Sequence, residues 1–231
     1  MEKHSIGLAE NHIIAIMNGK RVLISTGAPI SVGDTPDIMI LGQRYQLEKQ
    51  LLGMDIRQIG AALKTDINAL LGMDILSKFV FYISHSIEAI IFSDFFINFK
   101  ENMRELPINM DFNLPIVTMR MGGVDVKMVL DTGSKLSYLD ASLLGGMKNV
   151  GTMEVFYPGF NVFITEIYNL PVELRGKPLD IHFGLLPDVL MKNLSLTGCT
   201  GILGSEIFRY YNIQFCLKKN TLWLVDKDQK I

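Results

Sequence analysis

Met128-Val129-Leu130-Asp131-Thr132-Gly133-Ser134 and Val22-Leu23-Ile24-Ser25-Thr26-Gly27-Ala28 carry one pattern twice: an apolar strand running into an (S/D)-T-G turn. Each is preceded by another alternating apolar segment and a glycine turn. In the first copy this is Ile13 to Met17 followed by Asn18-Gly19; in the second it is Ile116 to Met121 followed by Gly122-Gly123. Asn-Gly and Gly-Gly between alternating strands are strong hairpin signals, because both turn residues must take positive φ.

A second repeated pair lies downstream. Ala69-Leu70-Leu71-Gly72 matches Gly201-Ile202-Leu203-Gly204 at an offset of 132 residues. The offset holds beyond it: Phe79, Phe81 and Ile83 align with Tyr211, Ile213 and Phe215, and Ile90 and Phe92 with Leu222 and Leu224. Gly27 to Gly72 spans 45 residues and Gly133 to Gly204 spans 71, so the second copy carries about 26 extra residues in its middle. The charged, proline-containing stretch 100–115 reads as the linker. A further Leu51-Leu52-Gly53-Met54-Asp55-Ile56 repeats 70–75 by coincidence and reads as a turn or helix running to about Leu63.

Composition agrees with two compact units. The chain has 231 residues, 48% hydrophobic and 20% charged, enough to bury a core and the reverse of a disordered balance. A net charge of -2 gives no basic surplus for nucleic acid. Glu10, Asn11 and His12 interrupt the start, so no signal peptide is read, and a cytoplasmic location is expected. The apolar stretch 79–99 contains His85, Glu88 and Asp94 and alternates like a strand, so no membrane span is expected. Cys199 and Cys216 read as free thiols. His4, His12, His85 and His182 form no metal spacing, and the 13 methionines read as core filler. No metal and no cofactor are expected.

An apolar strand into Asp-Thr-Gly-Ser, followed tens of residues later by apolar-apolar-Gly and present in two copies, resembles the aspartic proteases. The layout looks like a small two-lobed pepsin-like chain whose lobes each look like a retropepsin-like subunit, and the resemblance covers nearly the whole length. It implies a mainly β, acid-protease-like fold of two pseudo-twofold-related β-barrel lobes with a cleft between them. Residues 1–108 form the lobe with the Ser-Thr-Gly motif and 109–231 the lobe with Asp-Thr-Gly. In the family two carboxylates meet across the axis, share one proton and activate a water. The threonine hydroxyls, here Thr26 and Thr132, brace the opposite loops, and the glycines, here Gly27 and Gly133, allow a tight turn.

This chain departs from the family at Ser25, which stands where the first aspartate belongs, while Asp131, Thr132, Gly133 and Ser134 keep the full motif. Asp34 does not replace the lost acid, since that register puts Pro36 where glycine belongs. A hydroxyl cannot share a proton at mildly acidic or neutral pH, and an acid–base group contributes about 10²–10⁴-fold. The expected function is therefore binding of an extended peptide or protein segment in the cleft by a monomer, with hydrolysis lost or much reduced. The alternatives are an active endopeptidase that uses Asp131 with Ser25 or a second chain, and a non-catalytic assembly or regulatory protein. Two hairpins are candidates for a flap over the cleft: 38–47, with Tyr45, and 155–163, with Tyr157 and Phe160 around Pro158-Gly159.

Overall fold

The Asn18-Gly19 and Gly122-Gly123 turns each fold a hairpin, with positive φ at both residues (50° and 76°, 55° and 86°). The first joins strands His12–Met17 and Lys20–Ile24, the second Leu114–Met121 and Val124–Leu130. The structure, a computed structural model, describes residues 1–9, 12–99, 103–144 and 146–227. Glu10, Asn11 and Lys100, used in reading the sequence, lie outside the described residues.

The chain is mainly β. Among the described residues the strands form a ten-stranded sheet, an eight-stranded sheet and a two-stranded one. No described helix is long and apolar enough to cross a membrane. The apolar stretch 79–99 is a hairpin of Val80–Ser84 and Ala89–Ser93. The first Leu-Leu-Gly-Met-Asp-Ile becomes a turn and then helix Ile56–Ala62. Asp55 accepts from the Gln58 N–H while the Gln58 side chain accepts from the Asp55 N–H, a capping box that satisfies two helix-end groups at once.

The two halves of the chain repeat their connections. In the first, Lys20–Ile24 runs parallel to Ala69–Leu71, which pairs antiparallel with Val32–Gly33. In the second, Val124–Leu130 runs parallel to Gly201–Leu203, which pairs antiparallel with Ser137–Leu139. The middle segments differ. The first half has a short hairpin, Asp37–Ile40 with Gln43–Gln46, and the second a long one, Asn149–Tyr157 with Asn161–Leu174. The surplus read from the sequence goes into this longer hairpin and the strand Lys177–Leu185, while helix Asp188–Ser195 has its counterpart in Ile56–Ala62 at the 132-residue offset.

The halves meet at the pairing of Val80–Ser84 with Tyr211–Cys216, where Ile83 faces Ile213, Tyr82 faces Gln214 and Phe81 faces Phe215. At the 132-residue offset Tyr82 and Gln214 are equivalents, and the flanking pairs exchange roles, as a twofold contact requires. Phe81 and Phe215 are fully buried and stack at 4.4 Å, 8° from parallel. One apolar core runs through this seam, from Ile24, Leu71 and Phe92 to Leu130, Phe183 and Leu224. The described part of the 100–115 stretch, from Met103 on, is not a loose linker. Met103–Pro107 is an edge strand beside Thr221–Asp226, and Asn109–Asp111 pairs with Leu114–Met121. Its charges fit because only Leu106 of the edge strand is buried.

Candidate functional site

Two strand ends bring Ser25 and Asp131 together. The Ser25 N–H donates to the Leu71 carbonyl (3.0 Å) and the Asp131 N–H to the Leu203 carbonyl (2.9 Å). Beyond them the loops interlock reciprocally. The Thr26 hydroxyl donates to the Leu130 carbonyl (2.6 Å) and accepts from the Thr132 N–H (3.1 Å). The Thr132 hydroxyl donates to the Ile24 carbonyl (2.7 Å) and accepts from the Thr26 N–H (3.1 Å). Both threonines are fully buried.

Close approach, rather than positive φ, requires glycine in these loops. A Cβ on Gly27 would lie 2.2 Å from the Asp131 Cγ, and one on Gly133 would lie 2.5 Å from the Ser25 Oγ. Both glycines sit in turns, the second closed by the Ser134 N–H donating to the Asp131 main-chain carbonyl at 3.2 Å, but neither has positive φ, so the turn alone does not demand glycine. Downstream, the buried Ser31 and Ser137 hydroxyls accept from the Gly72 and Gly204 N–H groups (2.8 and 3.0 Å), a matched pair not singled out from the sequence.

The Ser25 hydroxyl donates to Asp131 Oδ1 at 3.0 Å, and the Gly27 and Gly133 N–H groups donate to the same oxygen at 3.0 and 2.8 Å. Asp131 is half-buried and lines a cavity of about 240 Å³ with Ser25, Gly27, Gly133 and Ser134. Burial pushes its carboxyl above the usual carboxylate range, opposed by hydrogen bonds from Gly133, Ser25, Gly27 and Ser134. The Tyr138 and Tyr157 hydroxyls, also lining the cavity, are pushed up by burial and then by the Asp131 charge.

The cavity has an apolar wall from the first half, including Leu23, Leu51, Ile59 and Leu70, and a roof from the second-half hairpin, including Val155, Tyr157 and Val162. Of the two hairpins considered as a flap, 155–163 supplies this roof. Tyr45 instead packs edge-on against Phe79 at 5.4 Å, and Phe160 packs on Phe163 beside the roof rather than lining the cavity. Across the opening, Lys64 pairs with Glu154 at 2.8 Å, and the hairpin tip at Gly159 meets Leu52.

His12 was missed from the sequence. It lines the cavity, is buried, and its Nδ1 lies 2.8 Å from the Gly133 carbonyl. These residues are 121 positions apart and no motif joins them. Among the described residues no group of three or more His, Cys, Asp or Glu stands ready to hold a metal ion. Cys199 and Cys216 are free and buried. No protein-family model matches this chain, and no curated protein matches it.

Proposed function

We propose that this chain is an aspartic-protease-like protein that binds an extended peptide segment, with hydrolysis lost or much reduced. In this reading residues 1–108 and 109–231 are two β-barrel lobes related by a pseudo-twofold axis, and the cavity between them is the cleft. The observation that carries it is the 3.0 Å contact of Ser25 with Asp131 between two loops whose threonines brace each other reciprocally. The scaffold for a shared-proton pair is complete, and one of its two acids is a hydroxyl.

The chemistry follows from that hydroxyl. Ser25 donates to Asp131 and so favours its ionised form. Asp131 is left as a base and hydrogen-bond acceptor, with no acid opposite to polarise a peptide carbonyl. The roof strand Asn149–Tyr157 lies at the edge of its sheet, and an extended peptide can add to such an edge through main-chain hydrogen bonds. A chain that carries both lobes needs no second copy to complete the site, so a monomer suffices.

Calorimetric titration with a statine-containing peptide, followed by mass spectrometry of an incubated peptide library, tests the reading. One-to-one binding, weakened in Asp131→Asn and without cleavage, is the expected result. Cleavage by the natural sequence that Asp131→Asn abolishes would make the protein a single-acid peptidase. Absence of binding to any extended peptide would move its function away from the cleft.

A further inference from the structure

The half of the chain that lost its acid carries a histidine that the other half lacks. In the matching hairpins Ile14 pairs with Leu23 and Ile116 with Val129, so His12 corresponds to Leu114. The His12 ring crosses to the Asp131 loop and meets the Gly133 carbonyl at 2.8 Å. A carbonyl only accepts, so Nδ1 carries the proton and further protonation takes place at Nε2. The peptide unit whose carbonyl takes this bond is Gly133–Ser134, and its N–H, on Ser134, donates to the Asp131 main-chain carbonyl at 3.2 Å and closes the turn that carries the carboxyl. The Gly133 N–H, one peptide earlier, donates to Asp131 Oδ1.

We propose that His12 is a positioning residue for Asp131 and serves as the site's second titrating group in place of the acid that Ser25 replaces. The inference rests on the reading of Asp131 as the working group of a peptide cleft. A proton donor on the Gly133 carbonyl holds the Gly133–Ser134 peptide, and with it the turn from which the Gly133 N–H donates to the carboxyl. A protonated ring adds a positive charge beside a half-buried carboxyl, where charge acts more strongly than in open water. The other titratable groups lining the cavity are Lys64, Glu154, Lys135, Tyr138 and Tyr157. Lys64 and Glu154 are paired with each other. On the flanking strands, Glu2, Lys3 and His4 pair along Ala89–Ser93, and Lys20 and Arg21 lie beside Met17 and Ile16 at the far end of the hairpin.

The test needs no ligand. The Asp131 carboxyl is titrated by ¹³C NMR in the natural sequence, His12→Asn and His12→Leu, with Asp131→Asn assigning the resonance. His12→Leu loses both bond and charge and moves the midpoint to higher pH. His12→Asn keeps a neutral donor and falls between. If His12→Leu does not fold, the His12→Asn shift and the displacement of the His12 ring titration in Asp131→Asn decide, since coupled groups shift each other. The same midpoint in every folded variant overturns the inference. A shifted midpoint in a protein that binds no peptide upholds it and refutes the proposed function.

Discussion

Replacing Ser25 with aspartate places a second carboxyl at the seam, and the structure has room for it. Asp131 fits because Gly27 has no Cβ, and Gly133 leaves the matching space beside Ser25. The Ser25 Oγ is 3.0 Å from Asp131 Oδ1, so the new carboxyl oxygens fall within hydrogen-bond reach of the old ones. Two charges about 4 Å apart repel by about 4 kcal/mol at an effective dielectric constant near 20. At 1.36 kcal/mol per unit, this separates the two ionisations by about 3 pH units, and the pair holds one proton between them. On the proposed function, the second acid should raise peptide cleavage by about 10²–10⁴-fold. Cleavage of a quenched fluorescent peptide library is measured between pH 3 and 7. Ser25→Asp should show an acid optimum, and Ser25→Asn, of like volume but without the acid, should stay at the level of the natural sequence. A folded Ser25→Asp protein that cleaves nothing and whose two carboxyls titrate independently would refute the geometry on which the reasoning stands.

The interlocked threonines should be equally costly to remove. Thr26→Val strips partners from the Leu130 carbonyl and the Thr132 N–H, and Thr132→Val strips them from the Ile24 carbonyl and the Thr26 N–H. At about 1–3 kcal/mol per buried unsatisfied group, each loses about 2–6 kcal/mol in urea unfolding, while Thr→Ser at either site loses far less. A large effect at one threonine and none at the other would break the equivalence. His85 should make the fold acid-labile. Burial first, and then the charge of Lys227, push it down to about 4 from 6.5, and it stacks on Phe208 at 5.4 Å. The unfolded chain then binds the proton more tightly, so stability is intact above about pH 6.5 and falls as pH drops towards 4. The loss is about 2 kcal/mol after allowing for partial exposure. His85→Phe should flatten that part of the stability–pH curve, and an unchanged curve would point to other groups. Glu154→Gln, which breaks the exposed pair with Lys64 at the mouth of the cavity, should speed both association and dissociation of a bound peptide in stopped-flow measurements. Thermal stability should be untouched, and unchanged rates would mean the pair does not hold the roof closed.

What was legible in the sequence is what the chain says twice. The Asn18-Gly19 and Gly122-Gly123 turns, the strands entering Ser25 and Asp131, and the Leu-Leu-Gly and Ile-Leu-Gly strands all announce themselves through local periodicity and turn chemistry. The 132-residue offset even contains the register of the central strand pair, because a twofold contact forces Tyr82 onto Gln214. The strand Met103–Pro107 escaped for a physical reason: its partner lies at the far end of the chain, and a charged edge strand with one buried residue has the composition of a loop. The Lys64–Glu154 pair, 90 residues apart, and the His12–Gly133 bond are tertiary contacts with no local signature. Repetition supplies a baseline against which asymmetry can be read. Ser25 against Asp131, the surplus in the second half that builds the roof, and His12 against Leu114 are three departures from the repeat, and all three face one cavity. Their convergence is what an unequal division of labour between two loops would produce, with Asp131 keeping the charge and the other half supplying the groups that tune it.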